Sequence, residues 1–328
     1  MGTVWRGHDR TSGNGVAIKV MAGATRGLAS FEERFAREAA SCAAVSHQHV
    51  VAVLDHGITP SRERFLVMEL LEGESLGSRI ERLPIMLAHE VILWIIEALE
   101  GLDAVHTAGI VHRDLKPDNL FLARDRNGRT TVKLVDFGVS LWGGESDWDA
   151  LTRSGEVLGT AGYMAPEQRI SAHDVDGRAD LYSVGIVLYE ALAGRSPFSG
   201  NDLREIFLSA AEGRTEPLVS RVPAMGSTLS DAVARAISND PRDRFATARE
   251  MREALLTARA IIPVDLECAP HPHAMRTKAR EATTTKQPVR TTTVTHPKSS
   301  HSYWRRIGVA MLAVTGMLVA YVVFGIGG

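Results

Sequence analysis

The sequence predicts an α+β protein, because strand-like segments come first along the chain and helix-like segments follow them. Residues 16–21 (VAIKVM) and 64–71 (RFLVMELL) are short apolar runs bounded by polar or glycine-containing segments, which is typical of buried strands. Beyond residue 85, the segments 91–102 (VILWIIEALEGL) and 180–192 (DLYSVGIVLYEAL) are apolar nearly all round. This pattern predicts helices that are buried on every side.

A further helix is predicted over residues 30–44, between the two strands. Phe35 and Cys42 recur along it at helical spacing, and Glu38 falls on the same apolar face. A carboxylate on a buried face needs a cation, and Lys19 in the preceding strand is the obvious partner.

The chain divides into three zones by composition. Residues 1–257 alternate apolar runs with Gly and Pro, as a folded domain does. Residues 258–304 are rich in Thr, Pro, His and bases, and predict a disordered linker next to a membrane. Residues 305–328 contain the uncharged run 307–328, which is long enough for a single transmembrane helix.

Charge supports a membrane location and argues against nucleic acid as a partner. From residue 269 onward there are eight Lys and Arg residues and one acid, Glu281, so this part carries +7 and the first 268 residues carry −9. An acidic body does not suit nucleic-acid binding. Bases on the N-terminal side of the apolar run predict, by the positive-inside rule, an inner-membrane protein whose folded domain is cytoplasmic. A buried core helix is the alternative for residues 307–328.

A hairpin is predicted between the apolar segments 120–122 and 132–135, because Asn127-Gly128 is a strong turn signal. A two-residue turn there pairs residues whose numbers sum to 255, which places Asn119 opposite Asp136. Their oxygen ligands suit Mg²⁺. A bulge would shift this register by one residue, and two turn-capping side chains are the alternative interpretation.

The motifs around these two residues resemble those of the protein kinase family. Residues 111–120 (VHRDLKPDNL) resemble its catalytic loop, 136–138 (DFG) the metal-binding start of its activation segment, and 165–167 (APE) the end of that segment. The resemblance covers residues 1–257 and implies a two-lobed fold: a small antiparallel β-rich lobe and a larger helical lobe. It is greatest to the bacterial membrane-anchored serine/threonine kinases.

The resemblance assigns roles to the catalytic-loop residues. Asp114 corresponds to the base that accepts the substrate hydroxyl proton, and Lys116 to the lysine that offsets charge on the transferred phosphoryl group. Asn119 and Asp136 correspond to the ligands of Mg²⁺, with ATP as the phosphoryl donor. The sequence KPDN at 116–119 is similar to serine/threonine kinases rather than tyrosine kinases.

A second set of residues is implied to bind the nucleotide. Lys19 resembles the strand lysine that holds the α- and β-phosphates, and its partner is Glu38, the residue that helical spacing also selects. Met68 resembles the residue at the back of the adenine pocket. The remaining positions are the hinge and the residues that cover the ring and phosphates: Glu69, Leu71, Val4, Ala17 and Gly2.

Further residues resemble scaffold and regulatory positions. Asp180 corresponds to the aspartate that holds the catalytic-loop backbone, Glu167 and Arg244 to a structural ion pair, and Thr160 to the threonine facing the substrate hydroxyl. Arg113 corresponds to an arginine that pairs with a phosphate on the activation segment, for which Thr152 and Ser154 are the candidates. A dimer of two such domains is one arrangement that would allow this autophosphorylation. The histidines fit no zinc-ligand spacing.

The resulting expectation is a transferase that phosphorylates Ser and Thr hydroxyls of proteins in membrane-associated signalling. Two alternatives stay open: a pseudokinase that serves as a scaffold, and a small-molecule phosphotransferase of related fold. The pseudokinase alternative rests on the beginning of the sequence. Residues 1–4 match only the end of the family's Gly-rich phosphate loop, so the first strand is expected to be missing and the true start to lie upstream.

Overall fold

The computed structural model describes residues 2–9, 11–21, 29–59, 63–125, 127–136, 160–169, 175–198, 205, 208–210, 212–271, 307–314 and 317–324. The chain separates into two compact units. A strand-rich unit comprises Met1–Ser46, Val51–Leu71 and Thr284–Gly328, and a helical unit comprises His47–Val50 and Glu72–Thr283. Apart from its last segment, the strand-rich unit precedes most of the helical unit along the chain, as predicted.

The strand-rich unit is a sheet with one long helix. Its elements are β1 (Gly2–Asp9), β2 (Gly15–Met21), α1 (Ala29–Ala44), β3 (Val53–Ile58) and β4 (Arg64–Glu69). The strand order is β3-β4-β2-β1, with antiparallel neighbours. The turn after β1 is closed by the Asp9 carboxylate, which accepts hydrogen bonds from the backbone N–H of Thr11 and the hydroxyl of Ser12. These bonds, that to Ser12 above all, lower the pKa of Asp9.

One face of this sheet is an apolar cluster. Val16, Ile18 and Val67 are buried there, with Trp5, Val20 and Phe65 packed against them. Successive side chains of a strand point to opposite faces, so Ala17 and Lys19 lie on the other face. The alternation in VAIKVM thus divides the sheet into an apolar side and a side that holds Ala17 and Lys19, two of the predicted nucleotide-binding residues.

The apolar C-terminal segment does not form the predicted helix. It forms β8 (Ile307–Val314) and β9 (Met317–Phe324), which pair with each other in antiparallel fashion. The run holds five Val residues, and β-branched side chains favour strands, whereas hydropathy alone does not separate a strand from a helix. In the described part of the chain, no helix has both the length and the apolar character that crossing a bilayer requires.

The sequence predicted that the outer edge of the small sheet would be open, because its first strand was expected to be missing; in the structure this edge, on β1, is partly paired. β9 pairs with it in parallel, with His8 opposite Val323 and Asp9 opposite Phe324. An unpaired edge leaves backbone N–H and C=O groups without partners, and an apolar strand is a ready partner for it.

The helical unit contains two buried helices around which the other elements pack. The elements are β5 (Gly73–Ser75), α2 (Leu76–Arg82), α3 (Ala88–Thr107), β6 (Leu120–Arg124), β7 (Thr130–Leu134), α4 (Arg178–Ala193), α5 (Leu218–Arg221), α6 (Gly226–Ala236) and α7 (Ala248–Arg259). α3 and α4 bury most of their side chains, as their all-round apolar character predicts. A three-stranded sheet has the order β5-β6-β7.

The folded part extends past the predicted boundary at residue 257. α7 continues to Arg259, and the chain then runs back over the start of α3, where the Cys268 N–H donates to the Met86 carbonyl and the His271 N–H to the Pro84 carbonyl. The imidazole of His271 is buried and its Nε2 lies 3.2 Å from the Ala191 carbonyl oxygen. Residues 258–271 are thus part of the fold rather than a disordered linker, because backbone hydrogen bonds hold them despite their few large apolar side chains.

Candidate active site

Asp180 organises the loop that carries the predicted base. It lies in the first turn of α4 and is 0% exposed. Its Oδ2 accepts a hydrogen bond from the His112 N–H and its Oδ1 one from the Arg113 N–H, both at 2.8 Å. The His106 Nε2, also 2.8 Å from Oδ2, completes the set of donors. A buried carboxylate that accepts these bonds anchors the loop backbone to α4.

Two residues in the predicted catalytic segments have strained backbone conformations. Arg113 has φ of +65° and Asp136 has φ of +63°, and they are the non-glycine residues with positive φ in the described part of the chain. Such left-handed residues cost about 1–3 kcal/mol each and cluster at functional sites. The strain therefore singles out the same two segments as the motifs.

Asp114, Lys116 and Asn119 are brought together by the loop. The Lys116 Nζ lies 3.2 Å from the Asp114 Oδ2. The Asn119 Nδ2 donates to the Asp114 carbonyl oxygen at 2.6 Å and lies 3.2 Å from Oδ2. The Asp114 side chain stays 30% exposed, so its carboxylate is oriented by two neighbours and remains partly accessible from solvent.

The β6–β7 hairpin has a register one residue different from the expected one. Leu120 pairs with Leu134, so facing residues sum to 254 rather than 255. The Asp125 N–H donates to the Arg129 carbonyl, which leaves a three-residue turn in which Gly128 has φ of +80°. A turn of three residues with glycine in the left-handed region is a regular alternative to the two-residue turn.

The shifted register still brings Asp136 next to Asn119. The Val135 N–H donates to the Asn119 carbonyl oxygen at 3.1 Å, and the His112 Nε2 donates to the Val135 carbonyl at 3.0 Å. Asp136 is the next residue along the chain. The hairpin end and the catalytic loop are thus fastened together by backbone groups of Val135.

The donor set at Asn119 fits a hard cation. Its Nδ2 is engaged with Asp114, which leaves the amide oxygen as its ligating atom, and Asp136 supplies a carboxylate. Mg²⁺ is commonly bound by one or two side chains together with waters and phosphates. Among the described residues, no group of three or more His, Cys, Asp or Glu side chains is placed to hold a metal.

Four of the predicted nucleotide-binding residues, Val4, Ala17, Lys19 and Met68, share one face of the strand-rich unit, whereas Glu69 pairs with Val16 of the opposite, apolar face. Val4 pairs with Lys19 and Lys19 with Leu66, while Ala17 pairs with Met68. Directly paired residues lie on the same face, and so do residues two apart. Lys19 is 9% exposed and Met68 is buried, whereas Val4 is exposed. Gly2 and Glu69 end β1 and β4, and Leu71 follows β4.

Helix α1 packs on this same face. The Phe35 ring meets that of His56 edge-on, with centroids 6.1 Å apart, and His56 pairs with Leu66. Glu38 is one turn beyond Phe35, and its Oε2 is shielded from solvent. Burial, with the nearby Glu38 charge as a second cause, raises the pKa of Cys42 to about 11. Lys19 and Glu38 therefore occupy the facing sides of sheet and helix.

Glu167 and Arg244 form a bidentate ion pair within the helical unit. Arg244 Nη1 and Nη2 donate to the two oxygens of Glu167 at 2.6 and 2.8 Å. The Arg244 guanidinium also lies 4.8 Å from the centre of the Tyr182 ring. The pair fastens the end of the APE segment to the loop before α7.

The remaining predicted residues are only partly described. Thr160 begins the 3-10 helix Thr160–Tyr163, while Thr152 and Ser154 lie outside the described residues.

The Tyr163 hydroxyl at the end of this 3-10 helix donates to Glu190. Burial, followed by the Glu190 charge, raises the pKa of the Tyr163 hydroxyl.

Sequence reasoning missed two residues that hold the catalytic loop. His106 contacts Asp180, and Gln168 donates from Nε2 to the Arg113 carbonyl at 3.0 Å. His106 lies just before the motif at 111–120 and Gln168 just after APE, but only their contacts in the structure show that they hold the loop.

Comparison with known proteins agrees with this geometry. Residues 1–256 match the family described as protein kinase domain. Serine/threonine-protein kinase PknL of Mycobacterium tuberculosis is 39% identical over 253 residues, which cover 76% of this chain and 60% of PknL. Serine/threonine-protein kinase Pkn1 of Myxococcus xanthus is 36% identical over 263 residues, 79% of this chain and 37% of Pkn1. The chain thus spans 37% to 60% of the length of these relatives.

The fold is also that of a solved kinase. The crystal structure of the Mycobacterium tuberculosis PknI kinase domain superposes with a TM-score of 0.59 at 26% identity, covering 79% of this chain and 91% of the other. The described site, the match over residues 1–256 and these identities establish that the chain belongs to the protein kinase family, among the eukaryotic-like serine/threonine protein kinases of bacteria.

Proposed function

We propose that this protein transfers the γ-phosphoryl group of ATP to Ser and Thr hydroxyls of protein substrates. The observation that carries the proposal is the accessible Asp114 carboxylate, held beside Lys116 and Asn119 on a loop that Asp180 anchors. Asp114 orients the substrate hydroxyl and accepts its proton, and Lys116 offsets negative charge on the transferred group.

Nucleotide binding is proposed for the face of the sheet that carries Lys19. Lys19 binds the α- and β-phosphates, and Glu38 on α1 holds the lysine in place. Ala17 and Met68 line the adenine. Mg²⁺, held by Asn119 and Asp136, supplies positive charge that neutralises the phosphates when it is bound. The identities with kinases and the complete set of these residues favour an enzyme over a pseudokinase scaffold.

The direct test is transfer of labelled phosphate from γ-labelled ATP to a generic protein substrate such as casein by the full-length chain. Label on phosphoserine and phosphothreonine is the expected result. Absence of transfer with intact ATP binding would instead support the scaffold alternative.

Activation by phosphorylation is proposed from the surroundings of Arg113. Its Nε is buried and, among the described residues, has no hydrogen-bond partner. A guanidinium is well suited to a phosphate. Thr152 and Ser154 are the proposed acceptors, and two kinase domains of a dimer would supply the donor and acceptor copies.

Phosphopeptide mapping of active protein is expected to find phosphate on Thr152, Ser154 or both. Phosphatase treatment should lower activity at least tenfold, and ATP should restore it, because the phosphate pairs with Arg113, the residue that precedes Asp114. The Asp114→Asn chain, which lacks the proposed base, serves as the unphosphorylated control. Fully active protein with neither site modified would contradict the proposal.

Membrane attachment through residues 307–328 is proposed from composition. The run is uncharged, bases precede it, and Tyr303 and Trp304 stand at its border. In hydrocarbon a two-stranded segment would leave edge groups without partners, so the membrane-bound form proposed is a helix over the same residues. The kinase domain then lies on the cytoplasmic side of the inner membrane.

Cell fractionation tests this attachment. The full-length chain is expected in the carbonate-washed membrane fraction, and a chain ending at residue 306 in the soluble fraction. A Leu318→Arg variant should shift the protein towards the soluble fraction, because a central charge costs about 3 kcal/mol on insertion. Equal solubility of the full-length and shortened chains would overturn the proposal.

A further inference from the structure

The carboxamide of Gln168 is used at both ends. Its Oε1 accepts a hydrogen bond from the Ala165 N–H at 3.1 Å, and its Nε2 donates to the Arg113 carbonyl at 3.0 Å. The side chain is 9% exposed. Only one orientation of the amide satisfies both partners, since one is a donor and the other an acceptor.

These bonds act on the strained residue that precedes the proposed base. Arg113 has φ of +65°, and its N–H is bound by Asp180. Its carbonyl belongs to the same peptide plane as the Asp114 N–H, which lies 3.4 Å from the His112 Nδ1. Gln168 therefore binds the carbonyl of this peptide group, and His112 binds its N–H. The tilt of the plane sets the direction in which the Asp114 side chain leaves the backbone.

The turn that carries Gln168 is held by hydrogen bonds and by an ion pair. It lies in the 3-10 helix Pro166–Arg169, and its own N–H donates to the Ala165 carbonyl. Its neighbour Glu167 is clamped by the buried Arg244. Because the backbone of this turn is already held by hydrogen bonds, only the side chain of Gln168 has to be ordered, and its two hydrogen bonds offset that loss of entropy.

We propose that Gln168 is a positioning residue for Asp114. Through the Arg113 carbonyl, it holds the peptide plane that aims the Asp114 carboxylate at the substrate hydroxyl. This inference rests on the proposed kinase function, and it assigns to the segment after APE a part in setting the rate of proton acceptance.

The test compares Gln168→Met and Gln168→Glu in the full-length chain. Met keeps the length without polar atoms, and Glu keeps the acceptor but loses the donor at neutral pH. Both variants are expected to lower kcat about 10- to 30-fold, with KM for ATP and for substrate within twofold, because misplacement of a catalytic group affects chemistry rather than binding. In Gln168→Glu, burial and the facing Arg113 carbonyl should raise the pKa of the new carboxyl, so the activity relative to wild type should rise as pH falls from 8 to 6, when the protonated form regains a donor.

Hydrogen–deuterium exchange provides a readout that needs no activity. The peptide containing residues 111–116 is expected to exchange faster in both variants, while peptides from α6 do not change. Ser230→Ala, which removes a buried hydroxyl that accepts from the Val219 N–H, is the matched control and should leave kcat unchanged.

The outcomes separate the two ideas. A kcat within twofold of wild type for both variants, or a lower kcat without faster exchange at 111–116, would overturn the role of Gln168. A wild-type chain that transfers no phosphate would overturn the proposed function instead, and the exchange rates would still decide whether Gln168 holds the loop.

Discussion

The Asp114→Asn variant is expected to transfer phosphate about 10²- to 10⁴-fold more slowly than the wild type, which is the usual contribution of a general base. Asn has nearly the same shape and retains an oxygen for the Asn119 Nδ2 at 3.2 Å. It cannot accept the substrate proton. Since the side chain is 30% exposed and lies in a loop, folding should be unaffected. The assay is initial-rate transfer from labelled ATP, with the melting temperature measured in parallel.

Lys19→Met is the companion variant in the strand-rich unit and should reduce transfer comparably by loss of phosphate alignment. Asp103→Asn is the control, because Asp103 is at the end of α3 in an exposed ion pair with Arg249. Activity of Asp114→Asn within a few-fold of wild type would refute the assignment of Asp114 as the base. Equal losses in Asp114→Asn and Asp103→Asn would point to a general loss of folded protein.

The Arg244→Met variant is expected to lower the free energy of unfolding of the helical unit by about 3–5 kcal/mol, which is typical when one partner of a buried ion pair is removed. The Arg244 side chain is 0% exposed. Besides Glu167, its guanidinium donates to the carbonyl oxygens of Ser238 and Asn239 at 2.7 and 3.0 Å. Met fills similar volume but leaves all these acceptors without a donor. Urea unfolding followed by circular dichroism at 222 nm measures the change.

Arg242→Met is the matched control, two residues away. Arg242 pairs with Asp240 at the surface, and its side chain is 84% exposed. Exposed pairs contribute little to stability, so the unfolding midpoint should hardly move. Similar midpoints for Arg244→Met and Arg242→Met would show that the Glu167–Arg244 pair does not support the fold. A double variant with Glu167→Gln should lose less than the sum of the two single changes, since both remove the same interaction.

Some of the site follows from short stretches of sequence, because its residues act through local backbone geometry. Asp114, Lys116 and Asn119 lie within six consecutive residues, and the loop brings them together as their spacing suggests. The helical period of α1 places Glu38 on the same side as Phe35, and alternation along β2 places Lys19 opposite the apolar cluster. These relations need only the repeat of a helix or strand.

Other parts depended on distant contacts that no local pattern encodes. The hairpin register moved by one residue because Gly128 takes a left-handed conformation in a three-residue turn. Residues 260–271 are part of the fold because their backbone N–H groups donate hydrogen bonds to the carbonyl oxygens of Pro84 and Met86, although their composition resembles that of a linker. Residues 307–314 and 317–324 formed strands where hydropathy favoured a helix, since hydropathy measures the free energy of transfer out of water and not how backbone groups pair.

The sequence by itself determined the strand-then-helix order, because periodicity is a property of neighbouring residues. Through the motifs that resemble those of kinases, it also named the residues proposed to carry the chemistry. The resemblance to kinases implied that Asp180 holds the catalytic loop, but only the tertiary structure showed which backbone groups it binds and that Gln168 holds the loop as well. Gln168 reaches the Arg113 carbonyl across 55 positions of sequence, and Asp180 binds the Arg113 N–H across 67. A hydrogen bond between groups so far apart in the chain exists only once packing has brought them within 3 Å of each other.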